Sequence, residues 1–250
     1  MITAKTPTTK TVQDSSAPTG GVFAALWLPT DQEGSLLRNE LAQHLDFLKH
    51  HQVTGVLALG STGEFPQFDL EQRKRALATV AELAAPLQVI ANVSDIRPKS
   101  VAALGRFARE LGLSAIAVMP PGFFPSRQED ALAHFRHAAE SSELPTFLYN
   151  FPELTGTRID LETVAAFADE GAMAGIKQSG GGVRISQRTH RPRAGKEFFR
   201  VFRLRYPFAR SIWVGCGWMY RWIGQHGPRF DGASLSDLPG GEGRGSVPRI

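Results

Sequence analysis

Two residues able to do chemistry close two short apolar runs in the middle of the chain. Thr146–Tyr149 (TFLY) ends in a phenol, and Met173–Ile176 (MAGI) is followed at once by Lys177. A helix-like segment, Asp160–Glu170, lies between them. In a strand–helix–strand unit the two runs are neighbouring parallel strands, so both polar groups fall at strand C-terminal ends on one rim. A buried ammonium is expensive, and burial favours the free amine that attacks a carbonyl carbon to make a Schiff base. The bland alternative is a lysine that lays its stem along the rim and keeps its charge in water. A third piece, GSTGE at Gly60–Glu64, follows the apolar run Val53–Leu59. Gly60 and Gly63 permit close approach, Ser61 and Thr62 add hydroxyl donors, and amides at a helix N-terminus attract an anion. Alone, this loop reads equally as a turn with a helix cap.

Taken together, GSTGEF (Gly60–Phe65), YNFPELTG (Tyr149–Gly156) and GIKQSGG (Gly175–Gly181) resemble the pyruvate-dependent class I aldolase family. That family groups dihydrodipicolinate synthase with N-acetylneuraminate lyase. The resemblance runs from about Gly21 to Gly181 and implies an α/β fold, the (β/α)8 TIM barrel with a helical C-terminal extension. It implies that Lys177 forms an imine with pyruvate and that Tyr149 relays protons. It assigns Gly60, Ser61 and Thr62 to pyruvate's carboxylate and places Ser179 near the substrate, where a local turn hydrogen bond is the competing reading. Glu64 reads as a structural support of the loop. The implied substrates are pyruvate with an aldehyde, or a 2-oxo sugar acid. The imine is itself the electron sink, so neither cofactor nor metal is implied. Members are commonly homo-oligomers.

Two positions depart from the family's pattern. The loop after the fourth strand reads PPGFFPS, and Phe123 stands where a further tyrosine is common; phenylalanine cannot relay a proton. Leu154 stands where dihydrodipicolinate synthases place an arginine for the aldehyde's carboxylate, and leucine lacks that bidentate donor. The second departure points away from dihydrodipicolinate synthase and toward sugar-acid lyases and aldolases.

The elements that must position these residues alternate. Strands are predicted at Gly21–Leu28, Val53–Leu59, Leu87–Asn92, Ser114–Met119, Thr146–Tyr149 and Met173–Ile176. Helices are predicted at Ser35–Lys49, Leu70–Ala85, Lys99–Leu111, Gln128–Ser141 and Asp160–Glu170. Six such alternations with short loops mean a parallel sheet under covering helices. Closure at this size takes eight strands. Only six are readable, so the expected barrel is truncated, with two open edges that invite aggregation.

The 250 residues, 42% of them hydrophobic, suit one domain with a sizeable core. A single cysteine, Cys216, excludes an internal disulfide and fits a reducing, cytoplasmic setting. No apolar run reaches the ~18 residues of a spanning helix, so no membrane is expected. Residues 1–20 read as a disordered lead-in and 21–182 as the partial barrel domain. The net charge of +4 is uneven: residues 1–182 carry 15 Lys+Arg and 20 Asp+Glu, leaving 13 and 4 for residues 183–250. Trp213, Trp218 and Trp222 fall in that same basic, Gly/Arg/Trp-rich tail. Basic and aromatic together can mean nucleic acid. A shifted reading frame near Gly181 explains them otherwise. Permitted codons for Phe202–Gly227, read one base later, give text with the family's GYD and DGCIGG elements. On that reading the charge comes from out-of-frame codons, and no nucleic-acid partner is expected. The histidines carry no metal signal: His50, His51, His134 and His137 read as solvated helix residues without carboxylates at ligand spacing.

Overall fold

The computed structural model describes residues 20–179, 199–203 and 212–215. The chain alternates as β1 (Val22–Ala25), α1 (Arg38–His50), β2 (Gly55–Ala58), α2 (Leu70–Ala84), β3 (Gln88–Asn92), α3 (Pro98–Glu110), β4 (Ala115–Val118), α4 (Gln128–Ser142), β5 (Thr146–Asn150), α5 (Pro152–Thr155), α6 (Leu161–Asp169) and β6 (Met173–Gln178). Two further strands follow, β7 (Phe199–Arg203) and β8 (Ile212–Gly215).

The strands close into a barrel in chain order. Strands β1 to β7 run parallel to one another; β8 runs antiparallel to both β7 and β1. The six parallel strands β1 to β6 with their alternating helices are the partial barrel read from the sequence. The edges that six strands leave are paired by short strands of the tail, β8 beside β1 and β7 beside β6, which gives their edge amides backbone partners. The expected lead-in, the boundary near Gly181, the change of frame and most of the basic tail lie outside the described residues.

Strand residues alternate between two cores, as the period of two requires. Phe23, Ala25, Leu57, Ile90, Ala115, Ala117, Met119, Phe147 and Tyr149 fill the barrel interior. Their neighbours, Ala24, Val56, Val89, Ile116, Leu148 and Ile176, pack with the helices. The interior is tight at β2. A Cβ on Gly55 lands against the Phe23 ring and 2.5 Å from the backbone oxygen of Gln88. Gly55→Ala is therefore expected to destabilise the fold by about 1–3 kcal/mol, checked by urea unfolding.

Helix boundaries follow local chemistry. Helix α1 begins at Arg38, later than Ser35, because the Asp31 carboxylate accepts from the amides of Glu33 and Ser35 and ties that stretch into a turn. Helix α2 opens with a capping box: Asp69 accepts from the Gln72 amide while the Gln72 side chain accepts from the Asp69 amide.

One histidine contradicts the solvated reading. His134 on α4 is buried, and its Nε2 has no hydrogen-bond partner. His50 and His51 do lie at exposed positions, and His137 is half-buried with its Nε2 3.1 Å from the Pro98 carbonyl oxygen. Burial, then the neighbouring His137, pushes the His134 imidazole down to about 4, with Asp95 opposing. The folded state binds this proton less readily than the unfolded chain. The associated stability is complete above about pH 6.5 and drains as pH falls toward 4. It amounts to about 3 kcal/mol. Denaturant titrations at neutral pH and near pH 4.5 are expected to show this loss, and His134→Leu to reduce it.

Candidate active site

The register of β5 against β6 places Tyr149 opposite Lys177. Both are buried, at 0% and 1% exposure, so the rim lysine does not reach out to water. The Lys177 Nζ lies over the Tyr149 ring, 3.3 Å from its centroid. The ring's negative face favours an ammonium by about 2 kcal/mol when desolvated. The phenol oxygen of Tyr149 shares a 3.0 Å hydrogen bond with Ser61 Oγ, which ties the loop after β2 to the end of β5 across the barrel mouth. Phe151 stacks near-parallel to the Tyr149 ring.

The GSTGE loop is built differently from the sequence expectation. Gly60, Ser61 and Thr62 do not lie at the N-terminus of α2. Ser61–Gly63 form a single 3-10 turn, Phe65–Gln67 form another, and α2 starts only at Leu70. Glu64 joins the two turns in the left-handed region at φ 49° and is exposed. The sharp reversal that Glu64 makes separates the loop amides from the dipole of α2. Packing at Gly63 is tight: a Cβ there lies 3.0 Å from the carbonyl oxygen of Leu26.

Ser179 continues from β6, and its amide donates to the carbonyl of Asn150. Among the described residues its buried hydroxyl has no hydrogen-bond partner, nor has Nε2 of Gln178. Phe123 is 86% exposed at φ 84°, edge-on to Phe124. A ring so exposed is not part of the buried Lys177 environment. Leu154, 45% exposed, sits on α5, the short helix that directly follows the Tyr149 strand. Among the described residues no group of His, Cys, Asp and Glu can hold a metal ion, and no helix is long and apolar enough to cross a membrane.

Sequence reasoning passed over a second cluster on the same rim. The Asn92 carboxamide donates to the carbonyl of Leu59 at 2.6 Å and accepts from the Ser94 hydroxyl at 2.6 Å. Ser94 Oγ accepts from the Met119 amide. The buried Arg73 donates to the Asn92 carbonyl, pairs with Asp95 at 3.4 Å and lies over the Phe65 ring. Burial pulls its guanidinium down to about 10, against the pull of Asp95. The signal was available: Asn92, like Lys177 and Tyr149, is a polar residue at the end of an apolar strand.

Fold and site define a β/α barrel with a buried amine and a phenol on its C-terminal rim. The chain belongs to the dihydrodipicolinate synthetase family, whose profile matches residues 18–199. It is 31% identical over 176 residues to an uncharacterized DapA-like lyase of Halobacterium salinarum, covering 69% of this chain and 58% of that one. It is 28% identical over 178 residues to the 4-hydroxy-tetrahydrodipicolinate synthase of Methanothrix thermoacetophila, covering 71% and 60%. The solved 2-keto 3-deoxygluconate aldolase from Picrophilus torridus superposes with a TM-score of 0.63 at 28% identity, covering 66% of this chain and 60% of that one. The chain thus spans about three fifths of the length of these relatives.

Proposed function

We propose that this chain is a carbon–carbon lyase or aldolase that joins pyruvate to an aldehyde, or splits the product, through a Schiff base on Lys177. The observation that carries this reading is the buried amine packed on Tyr149, whose hydroxyl reaches Ser61.

The uncharged Nζ attacks the keto carbon of pyruvate, and the carbonyl oxygen leaves as water after taking up protons, with Tyr149 as the relay. The iminium withdraws electrons from the adjacent methyl group. That group loses a proton to give an enamine, whose carbon attacks the aldehyde carbon. The aldehyde oxygen takes a proton, and water hydrolyses the imine to free both product and lysine. Cleavage is the reverse. The turn at Gly60, Ser61 and Thr62 is assigned to pyruvate's carboxylate, and the Ser179 hydroxyl to a place near the substrate.

Leu154 supplies no cation for a carboxylated aldehyde, so the favoured substrates are 2-keto-3-deoxy sugar acids, in keeping with the named activity of the Picrophilus relative. Dihydrodipicolinate synthase activity is the lesser reading. We further assign the aldolase domain to residues 21–182 and a basic tail, which lends β7 and β8 to the barrel, to 183–250, with a cytoplasmic setting and a homo-oligomer, and neither nucleic acid nor membrane as partner. The test measures pyruvate release with lactate dehydrogenase for cleavage, and pyruvate consumption in quenched samples for condensation. Cleavage of 2-keto-3-deoxygluconate is expected to exceed condensation of pyruvate with a short carboxylated aldehyde by about tenfold or more, roughly what one lost ion pair is worth. The reverse order contradicts the substrate assignment.

A second reading, an inactive remnant, is favoured by one observation: β8 closes the barrel antiparallel, where a (β/α)8 barrel has eight parallel strands. It predicts weak near-UV circular dichroism and non-cooperative unfolding. Sharp, cooperative unfolding contradicts it.

A further inference from the structure

We infer that Asn92 is a positioning residue: its carboxamide sets the turn at Leu59–Ser61 and thereby the Ser61–Tyr149 hydrogen bond. The inference rests on the functional reading above only for its catalytic consequence; its structural half stands alone.

Leu59 is the pivot. It is fully buried, yet its backbone adopts φ 56°, in the left-handed region that bulky residues avoid. Such a conformation persists only where the surroundings over-determine it. Here the surroundings include a specific clamp. The carbonyl of Leu59 accepts a 2.6 Å hydrogen bond from Asn92 Nδ2. Asn92 lies two residues beyond Ile90, which faces the barrel interior, and so shares its inward face. The carboxamide cannot simply rotate, because Ser94 Oγ donates to its Oδ1 and is in turn held by the Met119 amide on the end of the next strand. Its backbone is held as well, with Asn92 O accepting from Arg73 Nη2. The clamp therefore connects three consecutive strand ends with α2, and its one bond to the site loop lands two residues before Ser61.

What that bond controls follows from chain geometry. Gly60 links Leu59 to Ser61, and the 3-10 turn starts there. A change in the Leu59 carbonyl swings the peptide that carries Ser61, whose Oγ must stay 3.0 Å from the Tyr149 hydroxyl. Catalysis is sensitive to displacements of this size: about 1 Å can lower a rate ~100-fold. Arg73 acts at the other end of the loop, over the Phe65 ring. A core-filling role predicts something different, namely lower stability with the loop and the chemistry unchanged.

The test uses Asn92→Ala, Asn92→Asp, Ser61→Ala and the Asn92→Ala/Ser61→Ala double variant of the full chain, with pyruvate alone as substrate. Asn92→Asp keeps the shape and the acceptor for Ser94 but loses the donor. Both Asn92 variants are expected to speed amide hydrogen exchange in the 59–64 segment by about tenfold while β4 and β5 keep their protection. They are expected to slow deuterium exchange into the pyruvate methyl group ~10–100-fold, with little change in the pyruvate concentration for half-maximal rate. Because Asn92 acts through Ser61, the double variant is expected to be no slower than the slower single variant. Unchanged loop exchange, an Asn92→Asp variant equal to wild type, or effects that multiply in the double variant each overturn the inference. If wild type exchanges no pyruvate protons, the functional reading fails, and the amide-exchange arm still decides on Asn92. Should the Asn92 variants not fold, Ser94→Ala removes the hydroxyl that orients the carboxamide. It is expected to show the same pattern at smaller amplitude, and an unaltered 59–64 segment there counts against the clamp.

Discussion

Lys177→Met is expected to lower pyruvate-dependent activity by at least ~10⁴-fold, to background, because the imine-forming nucleophile is removed. The same variant is expected to fold at least as stably as wild type. Lys177 is 1% exposed, and an apolar chain of similar length in that place needs no compensation for lost hydration. Loss of activity together with an unchanged or raised melting temperature separates a chemical role from a packing role. A lysine serving only to pack against the Tyr149 ring predicts the opposite pair of results.

Tyr149→Phe is the second large effect. The substitution keeps the buried ring under the Lys177 amine and its stacking with Phe151, and removes only the hydroxyl. Stability is expected to fall by about 1 kcal/mol for the hydrogen bond to Ser61. The catalytic loss is expected to be far larger, ~10²–10⁴-fold, the usual worth of a placed proton donor. Half-saturating pyruvate changes little, because the phenol acts on the departing oxygen and not on the carboxylate. Steady-state kinetics of proton exchange into pyruvate, measured beside thermal unfolding, checks both numbers. The phenylalanine at Phe123, remote in exposure from the buried amine, makes Tyr149 the phenol on which the relay depends.

What was legible in the sequence is what local chemistry controls. The alternation of strands and helices from Val22 to Gln178 follows from apolar periodicity, and Tyr149 and Lys177 were legible because each ends an apolar run. Their adjacency follows from the strand–helix–strand rule and agrees with the register. What escaped depends on long-range geometry. The GSTGE loop reads as the lip of α2, but Glu64 enters the left-handed region and inserts a second turn before Asp69 caps the helix. His134 reads as solvated from its polar neighbours, while its side of α4 faces the core. Asn92 carries the same strand-end signature as Lys177, yet its meaning appears only when the left-handed carbonyl of Leu59 is seen beside it. The pairing of β7 and β8 was hidden by a composition unlike the rest of the barrel, and direction of pairing is not written in five-residue runs.

The most direct test is borohydride trapping with pyruvate, followed by peptide mapping of the folded protein. The account predicts that the peptide containing Lys177 gains the mass of one reduced pyruvate and that Lys177→Met gains none. A folded, cooperatively unfolding protein that gains no such mass, or gains it on a different lysine, contradicts it.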